Sequence, residues 1–163
     1  MVRLFASVLD DAIDSWESAN CTPFVNYCQA APNMTGLTGE ISATGSNYLL
    51  ADNLILRGRH LPTNSFGFLM VSRTQGFVPM AGGGQGNLCL GGSIGRYFSS
   101  IANTGSQGTL AKYFDPENFP TPTGIPGVVS PGDTLYFQWW SRDSTPAGMA
   151  TSNFSNGLRV TFI

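Results

Sequence analysis

The sequence predicts an all-β fold: an antiparallel β-sandwich of jelly-roll type, with seven to eight strands joined by Gly/Pro-rich loops. Three observations predict it. No stretch after residue 20 keeps a 3.6-residue apolar period. Short apolar runs recur instead, some strictly alternating, and turn residues separate them. The surface chemistry is that of small neutral groups. Of 163 residues, 42% are hydrophobic and 12% aromatic, but only 11% are charged, against about 25% in an ordinary globular chain. Gly, Ser, Thr and Asn supply over a third of the chain. A core is therefore available, and disorder, collagen and coiled coil are excluded. The length corresponds to about one domain.

Residues 1–25 stand apart as an N-terminal segment, either a linker or the remnant of a preceding domain. They hold Asp10, Asp11, Asp14 and Glu17, four of the ten acids. Ala12, Ile13 and Trp16 fit one amphipathic turn. Leu4 to Leu9 is too short for a signal peptide, and no small-residue cleavage pattern follows. An export signal is not expected within this chain.

The β-sandwich module is expected over residues 26–163. Glu40 to Thr44 is a brief strand, and Tyr48 to Arg57 a longer one carrying Leu50, Leu54 and Leu56. Phe66 to Ser72 places Phe66, Phe68 and Met70 on one face and Gly67, Leu69 and Val71 on the other. Asn87 to Leu90, Arg96 to Phe98 and Gly108 to Tyr113 are shorter pieces. Residues 115–132 hold Pro116, Pro120, Pro122, Pro126 and Pro131. Proline cannot donate to a central ladder, so this stretch runs over the surface or along an edge. Pro131-Gly132-Asp133-Thr134 turns into the strongest strand, Leu135 to Arg142. Asn156-Gly157 is a hairpin-type signal before Leu158 to Ile163. Phe66, Phe68, Met70, Leu135, Phe137, Trp139, Val160 and Phe162 are the expected core.

Net charge is −2, so the chain has no basic footprint for nucleic acid. No apolar run reaches the roughly 18 residues of a membrane span. Three cysteines, Cys21, Cys28 and Cys89, permit three pairings, and sequence does not choose among them. With His60 as the single histidine, they match no zinc spacing.

Candidate chemistry is sparse. Gly91-Gly92-Ser93-Ile94-Gly95 has the form of a nucleophile elbow, and His60 is the available base. An elbow needs a helix after the serine, but Arg96-Tyr97-Phe98 reads as a strand, so a glycine-rich turn is expected. Gly82 to Gly86 lacks the Lys-Ser or Lys-Thr of a phosphate cradle and is expected to be a flexible loop. Asp133 is expected to cap its turn. No cofactor is expected, a structural calcium on Asp133, Asp143 or Asp52 being the alternative. Asn20, Asn33 and Asn153 head glycosylation sequons.

The aromatic strand is the most informative. Leu135, Phe137 and Trp139 share one face. Tyr136, Gln138, Trp140 and Arg142 share the other, where rings, an amide and a guanidinium could stack on and bind a sugar. The competing expectation covers both faces, one by a second sheet and one by the Pro-rich loop.

Several blocks resemble a recurrent module. They are Asn26 to Gly36, Ile41 to Ser46, Leu61 to Phe68, Gly86 to Tyr97, and Pro131 through Asp143 to Ser152–Gly157. They resemble C-terminal modules of large secreted proteins of marine bacteria, over about residues 26–163. The resemblance implies an extracellular β-sandwich and a Cys28–Cys89 bond, and it implies no reaction. Residues 1–25 and Cys21 fall outside it. The resulting expectation is a non-catalytic extracellular accessory or surface-attachment module. Its partners would be the rest of a larger parent polypeptide or a cell-surface component. A carbohydrate-binding module for neutral glycans, using Tyr136, Gln138, Trp140 and Arg142, is the alternative. A serine hydrolase using Ser93 and His60 is a weaker one. Nucleic acid and membrane insertion are not expected.

Overall fold

The computed structural model describes residues 23–163. The amphipathic turn at residues 12–16, Cys21 and the Asn20 sequon lie outside the described residues. Twelve strands and three 3-10 turns, with no α-helix, form the fold of the described residues. The all-β sandwich class is as the alternation predicts. No helix among the described residues is long and apolar enough to cross a membrane.

The main sheet is built around β10 (Thr134–Ser144), the longest strand. On one side of β10 come β12 (Gly157–Thr161) and then β1 (Phe24–Tyr27). On the other come β4 (Phe66–Ser72) and then β7 (Gly95–Arg96). Two further pieces extend these rows: β11 (Ala150–Phe154) pairs with β10, and β8 (Ala102–Asn103) with β4. A second sheet has the order β2 (Glu40–Thr44), β3 (Ile55–Arg59), β9 (Leu110–Tyr113). A separate hairpin joins β5 (Thr74–Val78) to β6 (Leu88–Gly91). The surplus over seven or eight strands lies in pieces whose sequence gives no period-2 signal. Thr74-Gln-Gly-Phe-Val78 is largely exposed, and Ala102–Asn103 has only two residues.

Alternation along β4 and β10 divides the core. Leu69, Val71, Leu135, Phe137 and Trp139 face the second sheet and pack with Ile41, Leu56, Leu110, Leu158 and Val160. The Phe114 ring meets Phe137 edge-on, with centroids 5.0 Å apart, and lies 5.6 Å from Phe162. Each such side chain contributes roughly 1.5–3 kcal/mol on burial. The opposite face holds a smaller cluster of Phe68, Met70, Leu90 and Phe154, flanked by Leu88, Tyr136 and Trp140.

The cover of that second face corrects an expectation. The β5–β6 hairpin covers it, whereas the Pro-rich loop closes the large core with Phe119 and Val129. The loop is held there by Arg73. Its guanidinium donates to the Val128 carbonyl (2.6 Å), pairs with Asp133 (2.9 Å) and lies over the Phe119 ring.

Three local expectations are also corrected. Phe66 is 50% exposed rather than core. Residues 49–51 form a 3-10 turn that leaves Leu50 exposed, and β3 starts only at Ile55. Asn156-Gly157 is not a hairpin turn, because β11 and β12 both run antiparallel along β10. Phe154 pairs with Trp140 and Leu158 with Phe137, so four residue steps face three. That one-residue excess is a β-bulge. It frees Ser155 Oγ to accept from the Trp139 N–H (3.0 Å) and Asn156 Oδ1 to accept from the Ile41 N–H (2.8 Å). The bulge thereby ties the two sheets together. The true hairpin joins β10 to β11 through Thr145–Met149, with Gly148 at positive φ.

Candidate binding site

The site begins with a gap in an edge strand. Along β4, Met70 pairs with Arg96, whereas Gly67 pairs with Ala102. Three steps on β4 thus face six on its partner. The surplus leaves the ladder as the 3-10 turn Phe98–Ser100. This excursion sets the Phe98 ring against Phe68, centroids 4.9 Å apart, while leaving Phe98 60% and Ile101 48% exposed.

The hairpin covers only part of the second face. At the uncovered end, Phe66, Phe68, Phe98, Ile101, Trp140 and Arg142 line a cleft of about 410 Å³. That volume lies within the usual small-molecule range of roughly 300–1,000 Å³. Trp140 pairs across the ladder with Phe68 and stacks on it, centroids 4.8 Å apart and planes 28° from parallel. Trp140 and Arg142 also line a second depression with Gly82–Gly84 and Ala150–Ser152. They form the ridge between an apolar hollow and a polar one. Arg142 is exposed, and no carboxylate pairs with it among the described residues.

The four residues singled out on β10 therefore separate. Trp140 and Arg142 belong to the cleft. Gln138 does not, because it is fully buried and its amide is used within the fold. Its Oε1 accepts from the Cys89 N–H (2.9 Å), and its Nε2 donates to the carbonyls of Asn87 (2.8 Å) and Ser155 (2.7 Å). Tyr136 is half-buried, packed edge-on by Tyr27 at 5.7 Å. Cys28 and Cys89 stand at disulfide distance, Cα atoms 6.3 Å apart, and the Tyr27 hydroxyl donates to the Cys89 carbonyl (2.9 Å). Tyr136 and Gln138 thus sit in a polar clamp under the hairpin. Burial pushes the Tyr27 hydroxyl well above the usual phenol range, with Tyr136 adding to it, so it remains a donor.

Ser93 and His60 are not brought together. His60 directly follows β3 of the second sheet, 3.7 Å from the Glu40 carboxylate. Ser93 follows β6, on the hairpin side of the main sheet. The carboxylates are taken up by protein donors. Asp133 accepts from the Ser130 N–H (2.9 Å), as expected of a turn cap, and from Arg73. Asp143 accepts from the Met34 N–H (3.0 Å) and from Asn153 (3.1 Å), and Asp52 from the Tyr113 hydroxyl. No three His, Cys, Asp or Glu side chains gather as a metal cluster among the described residues.

Two sequons turn out to be structural. Asn33 donates to the His60 carbonyl (2.6 Å) and accepts from Thr35, and Asn153 donates to the Pro32 carbonyl (3.0 Å). Both are buried, so neither amide is free for modification. The Gly82–Gly86 loop is likewise no free loop. Gln85 N–H donates to the Ser152 carbonyl (2.9 Å), and a Cβ on Gly86 would come within 2.7 Å of the Phe154 nitrogen. Glycine is needed there for close backbone approach.

Phe98 and Ile101 were not among the expected site residues. They sit in a Ser-flanked stretch without alternation, and their exposure depends on a gap in pairing that only the folded edge reveals. Searches against protein-family models, curated proteins and solved structures find no match to this chain.

Proposed function

We propose that this domain is a non-catalytic extracellular accessory module that attaches its parent polypeptide to a surface by binding neutral glycan. The aromatic cleft is the binding site. The observation that carries this reading is the cleft itself: Phe66, Phe98 and Ile101 are about half exposed or more and converge with Trp140 and Arg142 around one hollow. Solvent-exposed rings grouped in one concavity mark an interaction site. The negative face of an aromatic ring suits the C–H faces of a pyranose. Arg142 and the polar hollow beside Trp140 supply partners for hydroxyl groups. The low charge of the chain supports a neutral ligand, since it gives little long-range steering. The Cys28–Cys89 pair supports an oxidising, extracellular setting.

The test is calorimetric titration with neutral β-glucan, xylan and mannan oligosaccharides. Trp140→Ala and Phe98→Ala should each weaken binding by about tenfold or more, as loss of a central aromatic anchor does. Phe98 is exposed, so Phe98→Ala should keep the wild-type melting temperature. Absence of binding to every probe, or binding indifferent to both substitutions, would overturn the glycan reading.

A further inference from the structure

The aromatic cleft and the polar hollow beside it adjoin. Trp140 and Arg142 line both, and each has a volume of about 410 Å³. Strand register gives the direction in which they follow one another. Trp140 pairs with Phe154 of β11 on one side and with Phe68 of β4 on the other. Arg142 pairs with Ser152 of β11, and Phe66 of β4 pairs with Asn103 of β8. Side chains at paired positions lie next to each other on one face of a sheet. Hollow, ridge and cleft therefore succeed one another across β11, β10, β4 and β8. Neighbouring strands are spaced so that the three intervals between these four give a floor of about 14 Å, longer than one pyranose ring.

Both ends of this row are sheet edges. Among the described residues, β11 pairs only with β10, and β8 only with β4. Ala150 is exposed at one end and Ile101 at the other. No further strand closes the row, so a chain lying in it can leave on either side.

The two halves offer different partners. Aromatic rings dominate the cleft. The hollow presents the exposed Arg142 beside Thr151 and Ser152. Asp143, the one carboxylate among its lining residues, accepts from the Met34 and Ser144 N–H groups and from the Asn153 amide. It is held by the fold and is not a free charge facing the ligand. The remaining wall is the Gly82–Gly84 turn. The Gln85 N–H fastens it to the Ser152 carbonyl, and a Cβ on Gly84 would come within 2.8 Å of that same carbonyl oxygen. Gly82 and Gly83 stand clear, since a Cβ on either would meet nothing within 4 Å. The wall is therefore fixed before any ligand arrives, which lowers the ordering cost of binding.

We infer that the ligand is an internal stretch of a neutral glycan chain, laid across the strands from the polar hollow, over the Trp140–Arg142 ridge, into the aromatic cleft. A single sugar or a chain end would use one hollow and leave the other empty. The inference rests on the glycan reading of the cleft and adds to it the length and the course of the ligand.

The test is calorimetric titration of the folded domain with cellobiose and cellohexaose and with their xylan and mannan counterparts. Each hexaose is used both native and reduced at its terminal unit to the alditol. For the backbone that binds, the hexaose should bind at least about tenfold more tightly than the biose, and reduction should leave its affinity unchanged. Ala150→Leu puts bulk into the hollow at an exposed position. It should keep the wild-type melting temperature, leave biose binding as it is and bring the hexaose down to about the affinity of the biose. Phe98→Ala should weaken both. Equal affinity for biose and hexaose, loss of binding on reduction, or a hexaose advantage that survives Ala150→Leu would each overturn the inference while leaving the glycan reading in place. No binding of any of these sugars would overturn both.

Discussion

The two faces of the main sheet are stabilised by different physics. The face toward the second sheet is almost wholly apolar: Leu135, Phe137 and Val160 are essentially inaccessible and packed with Phe114 and Ile41. The face toward the β5–β6 hairpin has only four buried hydrophobic residues in its cluster, Phe68, Met70, Leu90 and Phe154. There the hairpin is fastened by the Gln138 amide, the Tyr27 hydroxyl and the Cys28–Cys89 pair. The difference explains where the candidate site lies. A continuous apolar interface must be closed everywhere, whereas a cover fastened at a few polar points can end partway and leave Trp140, Phe98 and Phe66 in contact with water.

The largest expected effect tests the apolar face. Phe137→Ala should destabilise the domain by about 3–5 kcal/mol, the cost of a buried cavity, measured as a lowered denaturant midpoint. The loss should be global, with hydrogen exchange accelerating in β10, β12 and the second sheet alike. Exchange confined to the hairpin would show that the large core is not the shared foundation.

Breaking the fastening should act differently. Cys89→Ser, or reduction, should cost about 2–4 kcal/mol and raise exchange first in β5 and β6. Next in size is Gln138→Leu, about 1–3 kcal/mol, because the Cys89 N–H and the Asn87 and Ser155 carbonyls lose their partner. If either variant loosened the second sheet as readily as the hairpin, the two faces would not be separable.

The apolar face was also the legible one. In Leu135-Tyr-Phe-Gln-Trp-Trp140 and in the wholly apolar Phe68-Leu-Met-Val71, the pleat assigns successive side chains to opposite faces once a strand is recognised. The cysteine pairing became visible only through resemblance. Sequence grouped Gln138 with Trp140 because both point to one face, but it does not show where a cover stops. The polar strand Thr151-Ser-Asn153 escaped because its buried side chain, Asn153, is held by hydrogen bonds, which leave no hydropathy signal. The Asn156-Gly157 dipeptide suits a tight turn and a bulge equally, and pairing with β10 decided for the bulge. Phe98 entered the site through an unpaired excursion of the edge, a tertiary event with no local mark.

The smallest expected effect is electrostatic and lies at the rim of the apolar face. The Ser130 N–H and then Arg73 hold the Asp133 carboxyl below the usual carboxylate range. A lowered folded-state pKa contributes stability above the unfolded pKa, and that stability is lost as pH falls through the folded one. Both side chains are substantially exposed, so solvent screening limits the contribution to under about 1 kcal/mol. Asp133→Asn keeps an oxygen for the Ser130 N–H but removes the charge that Arg73 meets. The variant should therefore be slightly less stable than wild type at neutral pH, with the gap closing as pH drops below the ordinary carboxylate range. Thermal midpoints across that range would check it. A gap that persisted into acid would assign the stabilisation to hydrogen-bond geometry alone. A gap larger than that from Gln138→Leu would mean that the Pro-rich loop depends on polar fastening as much as the hairpin does.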